Sequence, residues 1–323
     1  GQQNTQSEGF EQMDYALERG VNFFDTAELY AIPPKAETQG STETIIGNYF
    51  KQRKNRDKVI LASKVVGRTG MKWFRKNGEG AELNRANIEE AVNSSLRRLQ
   101  TDYIDLYQLH WPDRPVNAFG SQIYKELGEE INTIEEILEV LQDLIKAGKI
   151  RHVGLSNENP WGTAQFIRLA NEKGLPRMQS IQNAYNLLNR IFEYGLSEFS
   201  HRDDIGLLAY SPLAQGMLTG KYLNGAAPAN SRGTLFGRLE RYQTPNAEAA
   251  IHRYVKIAKD FNLDASQLAN QFVTTRPFVT SNIIGATTMD QLKTAIDSTQ
   301  LVLTDEILAA IEEVHLVHTN PCP

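Results

Sequence analysis

Two spacings of apolar positions alternate along the chain from about residue 7 onward. Helical spacing puts Ile88, Val92, Leu96 and Leu99 on one face of a segment that opens near Asn84. A second stripe consists of Ile134, Ile137, Leu138, Leu141, Leu144 and Ile145. Both of its ends are written in the sequence, because Thr133 with Glu136 makes a capping box and Gly148 closes the last turn. The same pattern predicts helices at 8–19, 41–53, 161–173, 193–202, 247–262, 266–276, 288–298 and 304–316. Short β-branched runs predict strands at 21–25, 58–64, 103–109, 150–155, 178–182, 205–210 and 282–285. Most of these strands lead into a helix, which is the order of a parallel sheet with crossover helices.

The predicted class is therefore α/β, a (β/α)8 TIM barrel forming one domain over 1–323, with seven of eight strands visible. The chain begins at Gly1 in polar residues that run straight into a helix, so the first strand is expected to be missing from this fragment. Two connections, 112–132 and 214–246, are longer than ordinary joints and are expected to form substrate and cofactor walls.

Composition narrows the partners. Hydrophobic residues make up 41% and charged residues 23%, and no apolar run is long enough to span a bilayer, so no membrane partner is expected. The formal net charge is −5 with both signs interspersed, which offers nothing to a phosphate backbone and excludes nucleic acid. Cys322 is the sole cysteine, so internal disulfides and Cys-based zinc sites are excluded, and it reads as an inert terminal residue. This usage fits a reducing compartment. The cytoplasm is expected, with a plastid as the alternative because the native N-terminus is not visible. His315 and His318 lie near one another on the last helix but have no third ligand; they are expected to face solvent, and no metal site is predicted. Nothing in the sequence specifies an oligomeric state.

Candidate chemistry gathers at the C-terminal ends of the predicted strands. Val21-Asn22-Phe23-Phe24 leads to Asp25, Val59-Ile60-Leu61-Ala62-Ser63 leads to Lys64, and Ile104-Asp105-Leu106-Tyr107-Gln108-Leu109 leads to His110. Ser156-Asn157, Gln182-Asn183 and Tyr210-Ser211 end later strands. In a parallel barrel these ends share one face. Asp25 and Lys64 at neighbouring ends can pair, offsetting the cost of keeping each charge out of water. Tyr30 follows on the loop leaving Asp25, and an ammonium beside its phenol would lower a pKa that is ordinarily about 10. With His110 as a second donor, the group suits protonation of an oxygen that gains charge as hydride arrives. Each residue also has a structural reading, since strand-end ion pairs and histidines often serve packing alone. The four together favour catalysis. Lys64 alone would also suit a Schiff-base aldolase.

The run Gly20-Val21-Asn22-Phe23-Phe24-Asp25-Thr26-Ala27-Glu28-Leu29-Tyr30 resembles a signature of the aldo-keto reductase superfamily. Ala62-Ser63-Lys64, Asp102 to Trp111, Gly154-Leu155-Ser156-Asn157, Ile181-Gln182-Asn183, Ala209-Tyr210-Ser211-Pro212-Leu213 and Gly285-Ala286-Thr287-Thr288 match in the same order. The resemblance covers nearly the whole chain and is strongest to the bacterial and plastid Tas-like branch, through Pro33 to Gly40 and Ala286 to Thr294. It implies NADP(H)-dependent reduction of a small-molecule aldehyde or ketone. Tyr30 would be the acid, Lys64 would depress its pKa, Asp25 would hold Lys64 and His110 would orient the carbonyl.

The resemblance also implies how the cofactor is held. Ser156, Asn157 and Gln182 would bind the nicotinamide carboxamide and Tyr210 would stack on its ring, with Ser211 beside it. Leu213, Gln215, Gly216 and Lys221 would meet the pyrophosphate, and Arg232, Thr287 and Gln291 the adenosine ribose and its 2′-phosphate. Gly285, counted with the cofactor residues, stands where other branches often carry a basic residue, which leaves Arg232 as the main determinant of NADP preference. No Gly-x-Gly-x-x-Gly follows a strand, so a Rossmann grip is excluded. Relatives that reduce carbon–carbon double bonds carry Glu at the His110 position, so His110 points to carbonyl substrates. Trp111 and the 112–132 loop, with Phe119 and Tyr124, would line the substrate pocket. A cofactor-sensing partner protein of weak turnover, as among potassium-channel β subunits, is the rival implied by the same resemblance.

Overall fold

The computed structural model describes residues 3–323 except 122, 125, 127 and 129–131. Part of the wall predicted at 112–132 thus lies outside the described residues. By internal contacts the chain divides into two compact units, Gly1–Val116 with Glu126–Ile181, and Asn117–Lys125 with Gln182–Pro323. The strands follow one another through the sheet in chain order.

The first unit holds β1 (Phe23–Asp25), β2 (Ile60–Val65), β3 (Ile104–Leu109) and β4 (Ile150–Ser156), paired parallel in that order. α1 (Gln6–Glu18) precedes β1, α2 (Ser41–Arg53), α3 (Arg85–Leu99) and α4 (Ile134–Lys146) run between successive strands, and α5 (Pro160–Lys173) follows β4. Every residue of β3 is buried, as parallel strands covered on both faces require. Its one acid, Asp105, accepts from the Leu61 N–H at 3.0 Å and from Arg56 and Arg151 at 2.7 Å each. The helical stripes named above turn inward: Ile88, Val92, Leu99, Ile137, Leu138, Leu141 and Leu144 are buried, each worth about 1.5–3 kcal/mol of apolar transfer. The Thr133/Glu136 capping box forms in both directions, and Gly148 takes φ +72° after α4.

β5 (Met178–Ala184) crosses the boundary between the units, and the second unit holds β6 (Gly206–Tyr210) paired parallel with β7 (Val279–Ile283). Its helices are α6 (Leu196–Arg202), α7 (Arg232–Phe236), α8 (Ala247–Asp260), α9 (Ala265–Thr274), α10 (Met289–Asp297) and α11 (Asp305–Val317). Leu207, Leu208, Ala209, Ile251, Tyr254, Phe272 and Ile311 form its core.

Three expectations are corrected. The last strand lies at Val279–Ile283, not at 282–285: pairing with β6 starts at Val279 and runs through Ser281 and Asn282. Main-chain hydrogen bonds do not need apolar side chains, so that polar stretch concealed the strand. The helix at 193–202 is two pieces, a tight turn at Ile191–Tyr194 and α6, broken at Gly195. His315 does not face solvent; it is buried on α11 with its Nε2 3.3 Å from the Tyr194 hydroxyl. The long 214–246 connection carries α7, which Ser231 caps through the Thr234 N–H. Cys322 is buried too, its N–H donating to the Leu188 carbonyl at 3.0 Å.

Candidate active site

Strand register brings the first two residues of the site together. β2 and β3 pair with Lys64 opposite Gln108, and β1 meets β2 with Asp25 opposite Ala62. Side chains alternate along a strand, so residues opposite one another, or two apart from such a pair, share a face. Asp25, Lys64 and Gln108 are thereby placed side by side. Ser63 points the other way and donates to the Glu43 carboxylate on α2, itself paired with Arg98 of α3 at 2.7 Å.

The Lys64 ammonium has no solvent exposure and lies 2.6 Å from Asp25 Oδ2, with a second hydrogen bond to the Thr26 carbonyl at 2.9 Å. The Tyr30 phenol is its third neighbour, the ring centroid 5.0 Å from Nζ. Burial alone would lower the Lys64 pKa, but the charge of Asp25 and the phenol of Tyr30 outweigh it, and the pKa stands above the ordinary lysine value. A lysine held as ammonium has no lone pair for a carbonyl carbon, which argues against the Schiff-base reading. Asp25 is fixed from its other side by Gln108, whose Nε2–H donates to Oδ1 at 3.0 Å. Sequence reasoning passed over Gln108 because it sits mid-strand in an apolar run; the register opposite Lys64 was the available signal.

His110 follows β3 directly, and its ring stands edge-on to Tyr30 with centroids 5.7 Å apart. Burial, then the Lys64 charge, push its pKa well below the ordinary value, so the ring is neutral. Its Nδ1 has no hydrogen-bond partner among the described residues. Asn157, in the left-handed region at φ +52°, donates from Nδ2 to the His110 carbonyl at 2.8 Å and to Ser156 Oγ at 3.1 Å. Ser156, Asn157 and His110 thus form one cluster in the first unit.

Tyr30 and Trp111 both pack on a small apolar cluster of Ala27, Leu29, Val66, Phe74 and Ala81. Behind it lies a buried ion pair that the sequence did not reveal. Arg75 donates to both oxygens of Glu28 at 2.9 and 3.0 Å, and the Val66 N–H adds a further bond to Glu28 at 2.9 Å.

The second unit carries the remaining expected residues. Gln182 is buried in β5. The Tyr210 hydroxyl accepts from Arg241 at 3.0 Å, and Arg241 lies over the Phe119 ring at 5.4 Å. Arg241 was missed, since nothing in the sequence ties it to Tyr210. Phe119 and Tyr124, expected in the substrate wall, are 50% and 74% exposed. After β6 the backbone turns through φ +58° at Ser211, +48° at Ala214, +58° at Gln215 and +93° at Gly216. A Cβ at Gly216 would lie 3.2 Å from Lys221 Nζ, so the lysine end packs closely on that turn, whose φ of +93° favours glycine. An ammonium held against a left-handed turn with little side-chain bulk suits a phosphate, so Gly216 and Lys221 fit a pyrophosphate-bearing cofactor. Leu213 accepts the Gly216 N–H within this turn. Arg232 opens α7, while Thr287 donates its N–H to Gln291 Oε1 at 2.9 Å at the start of α10, with exposed Gly285 just before.

Comparison with known proteins decides the family, because the model described as the aldo/keto reductase family matches residues 1–315. The chain belongs to that family. It is an oxidoreductase of the aldo-keto reductase type, and the seven parallel strands among the described residues, with interleaved helices, are consistent with the (β/α)8 architecture of that family. Protein tas of Escherichia coli is 48% identical across the whole of this chain and 93% of its own length. An aldo-keto reductase of Babesia bovis is 40% identical over 82% of this chain and 98% of its own. A putative voltage-gated potassium channel subunit beta of Schizosaccharomyces pombe is 29% identical over 93% of this chain and 81% of its own. No described helix is long and apolar enough to cross a membrane.

Proposed function

We propose that this aldo-keto reductase reduces aldehydes or ketones to alcohols with NADPH, Tyr30 acting as the general acid. The observation that carries the reading is the saturated Lys64 ammonium, held by Asp25 and Thr26 and coupled to Tyr30. Bound NADPH would supply hydride to the carbonyl carbon, so that the carbonyl oxygen would need a proton. Tyr30 donates its proton to that oxygen, and Lys64 stabilises the phenolate left behind until solvent returns the proton. Asp25 keeps Lys64 in position, and Gln108 keeps Asp25. Neutral His110 has one ring N–H with which to orient the carbonyl, and its low pKa stops it from competing as a proton source.

Ser156, Asn157 and Gln182 would hold the carboxamide, Tyr210 with Ser211 the ring, and Leu213, Gln215, Gly216 and Lys221 the pyrophosphate. Arg232, Thr287, Gln291 and the Gly285 turn would serve the adenosine end, with Arg232 selecting the 2′-phosphate. Trp111, against His110 with ring centroids 4.9 Å apart, would form the substrate wall.

The test is carbonyl-dependent loss of NADPH absorbance across a panel of aldehydes and ketones. Turnover that disappears in Tyr30→Phe supports the proposal. Tight NADPH binding with no turnover on any carbonyl would replace it with a cofactor-sensing role, and borohydride trapping of a carbonyl on Lys64 would replace it with an aldolase.

A further inference from the structure

Trp111 is held from two directions by one network inside the first unit. Its indole Nε1–H donates to the Arg68 carbonyl at 3.0 Å. Gly67 makes the approach possible, since a Cβ there would stand 2.3 Å from the Trp111 carbonyl oxygen and 2.4 Å from its ring. The Arg68 guanidinium then reaches past the indole to Asp113, meeting its carbonyl at 3.2 Å and its Oδ2 at 2.7 Å, and pairs with Glu82 at 2.9 Å. Asp113 is the hub: its side chain is 2% exposed, and it also accepts from the Leu83 N–H at 2.8 Å and from Asn132 at 2.9 Å. The clasp thus ties the main chain just after Trp111, and the far end of its ring, to the 67–83 segment.

Indole has one hydrogen-bond donor, and here it is committed to the protein. The wall beside His110 therefore offers an approaching molecule apolar surface and shape, and a wall that selects by shape must be held still. We propose that Arg68 and Asp113 are positioning residues that lock the Trp111 indole, and that this lock sets discrimination between small and bulky carbonyl substrates. The proposal rests on the reductase reading for its substrate and on the hydrogen-bond network for its mechanism.

Two readouts separate those foundations. The first uses the full chain with Trp73 and Trp161 replaced by Phe, so that Trp111 is the sole fluorophore of the three tryptophans. Arg68→Ala and Asp113→Asn should each increase quenching of Trp111 by acrylamide and red-shift its emission. Unchanged quenching in both overturns the clasp, whatever the enzyme reduces. The second is steady-state reduction of propanal and of 2-naphthaldehyde with NADPH. Both substitutions should lower the kcat/KM preference between the two aldehydes about tenfold, a span typical of pocket shape, acting through KM with kcat and NADPH affinity little changed. Trp111→Phe should shift the preference alike, and adding Arg68→Ala to it should shift it no further, because both changes act on one contact. Equal losses for both aldehydes, or a full additional shift in the Trp111→Phe background, would reduce the clasp to a structural brace and overturn the specificity role. If wild-type chain reduces neither aldehyde, the substrate role falls with the reductase reading, while the quenching result still decides the clasp.

Discussion

At the scale of the residue, the site depends on which groups keep their protons. Lys64 stays charged because Asp25 and Tyr30 outweigh its burial, and His110 stays neutral because burial and Lys64 act together. The sign for stability follows. A histidine whose folded pKa lies below its unfolded value has no effect above about pH 6.5, and lowers stability as pH falls below that, where only the unfolded chain takes the proton. His110→Gln should therefore flatten the acid side of the stability curve, measured by urea unfolding between about pH 6.5 and 5. Proton NMR of the His110 ring should show no titration over the same range; a titration near the ordinary value would contradict the assignment. Asp25, Tyr30, Lys64 and His110 were legible in the sequence because each ends or follows a clearly patterned strand. Gln108 was not, because its meaning lies in register with Lys64, and register is a property of two strands.

Elements were legible where both ends carried chemical signals. The α4 capping box was readable at Thr133 and Glu136 and forms as read; Thr133→Ala should cost about 1 kcal/mol by chemical denaturation. Where polar residues fill a strand, as at Thr280-Ser281-Asn282, periodicity misplaced the element. The 67–83 segment gave no periodic signal, yet it packs through Phe74 and Ala81 beneath Tyr30 and is anchored by the Glu28–Arg75 pair, whose side chains are each 1% exposed. Removing one partner of such a pair strands the other charge in a dry site. Arg75→Met should cost about 3–5 kcal/mol in urea unfolding, and a loss below about 1 kcal/mol, the range of exposed pairs, would show that the charge is relieved by water.

At the scale of the whole molecule, order carried more information than any single motif. Parallel strands with chemistry at their C-terminal ends pointed to a barrel with one site, and the residue blocks from Gly20–Tyr30 to Gly285–Thr288, taken in order, carried the family resemblance. Gln182, Tyr210 and Ser211 stood out as strand ends, but the other residues expected to hold the cofactor in the second unit were reachable only through that resemblance, because turns such as 211–216 owe their character to backbone conformation. If these residues hold NADPH, a saturating concentration about a hundredfold above Kd should add about 2.7 kcal/mol to stability. NADH at equal concentration should add less, and Arg232→Ala should narrow the gap between the two cofactors. Thermal melts with each cofactor check both points.

The central claim is that Tyr30 delivers the proton, and it is tested most directly by single-turnover NADPH oxidation in Tyr30→Phe alongside NADPH titration of the same variant. The account predicts a rate lower by about 10²–10⁴-fold, the usual contribution of a positioned acid, with cofactor affinity unchanged. Oxidation at the wild-type rate in that variant would contradict it.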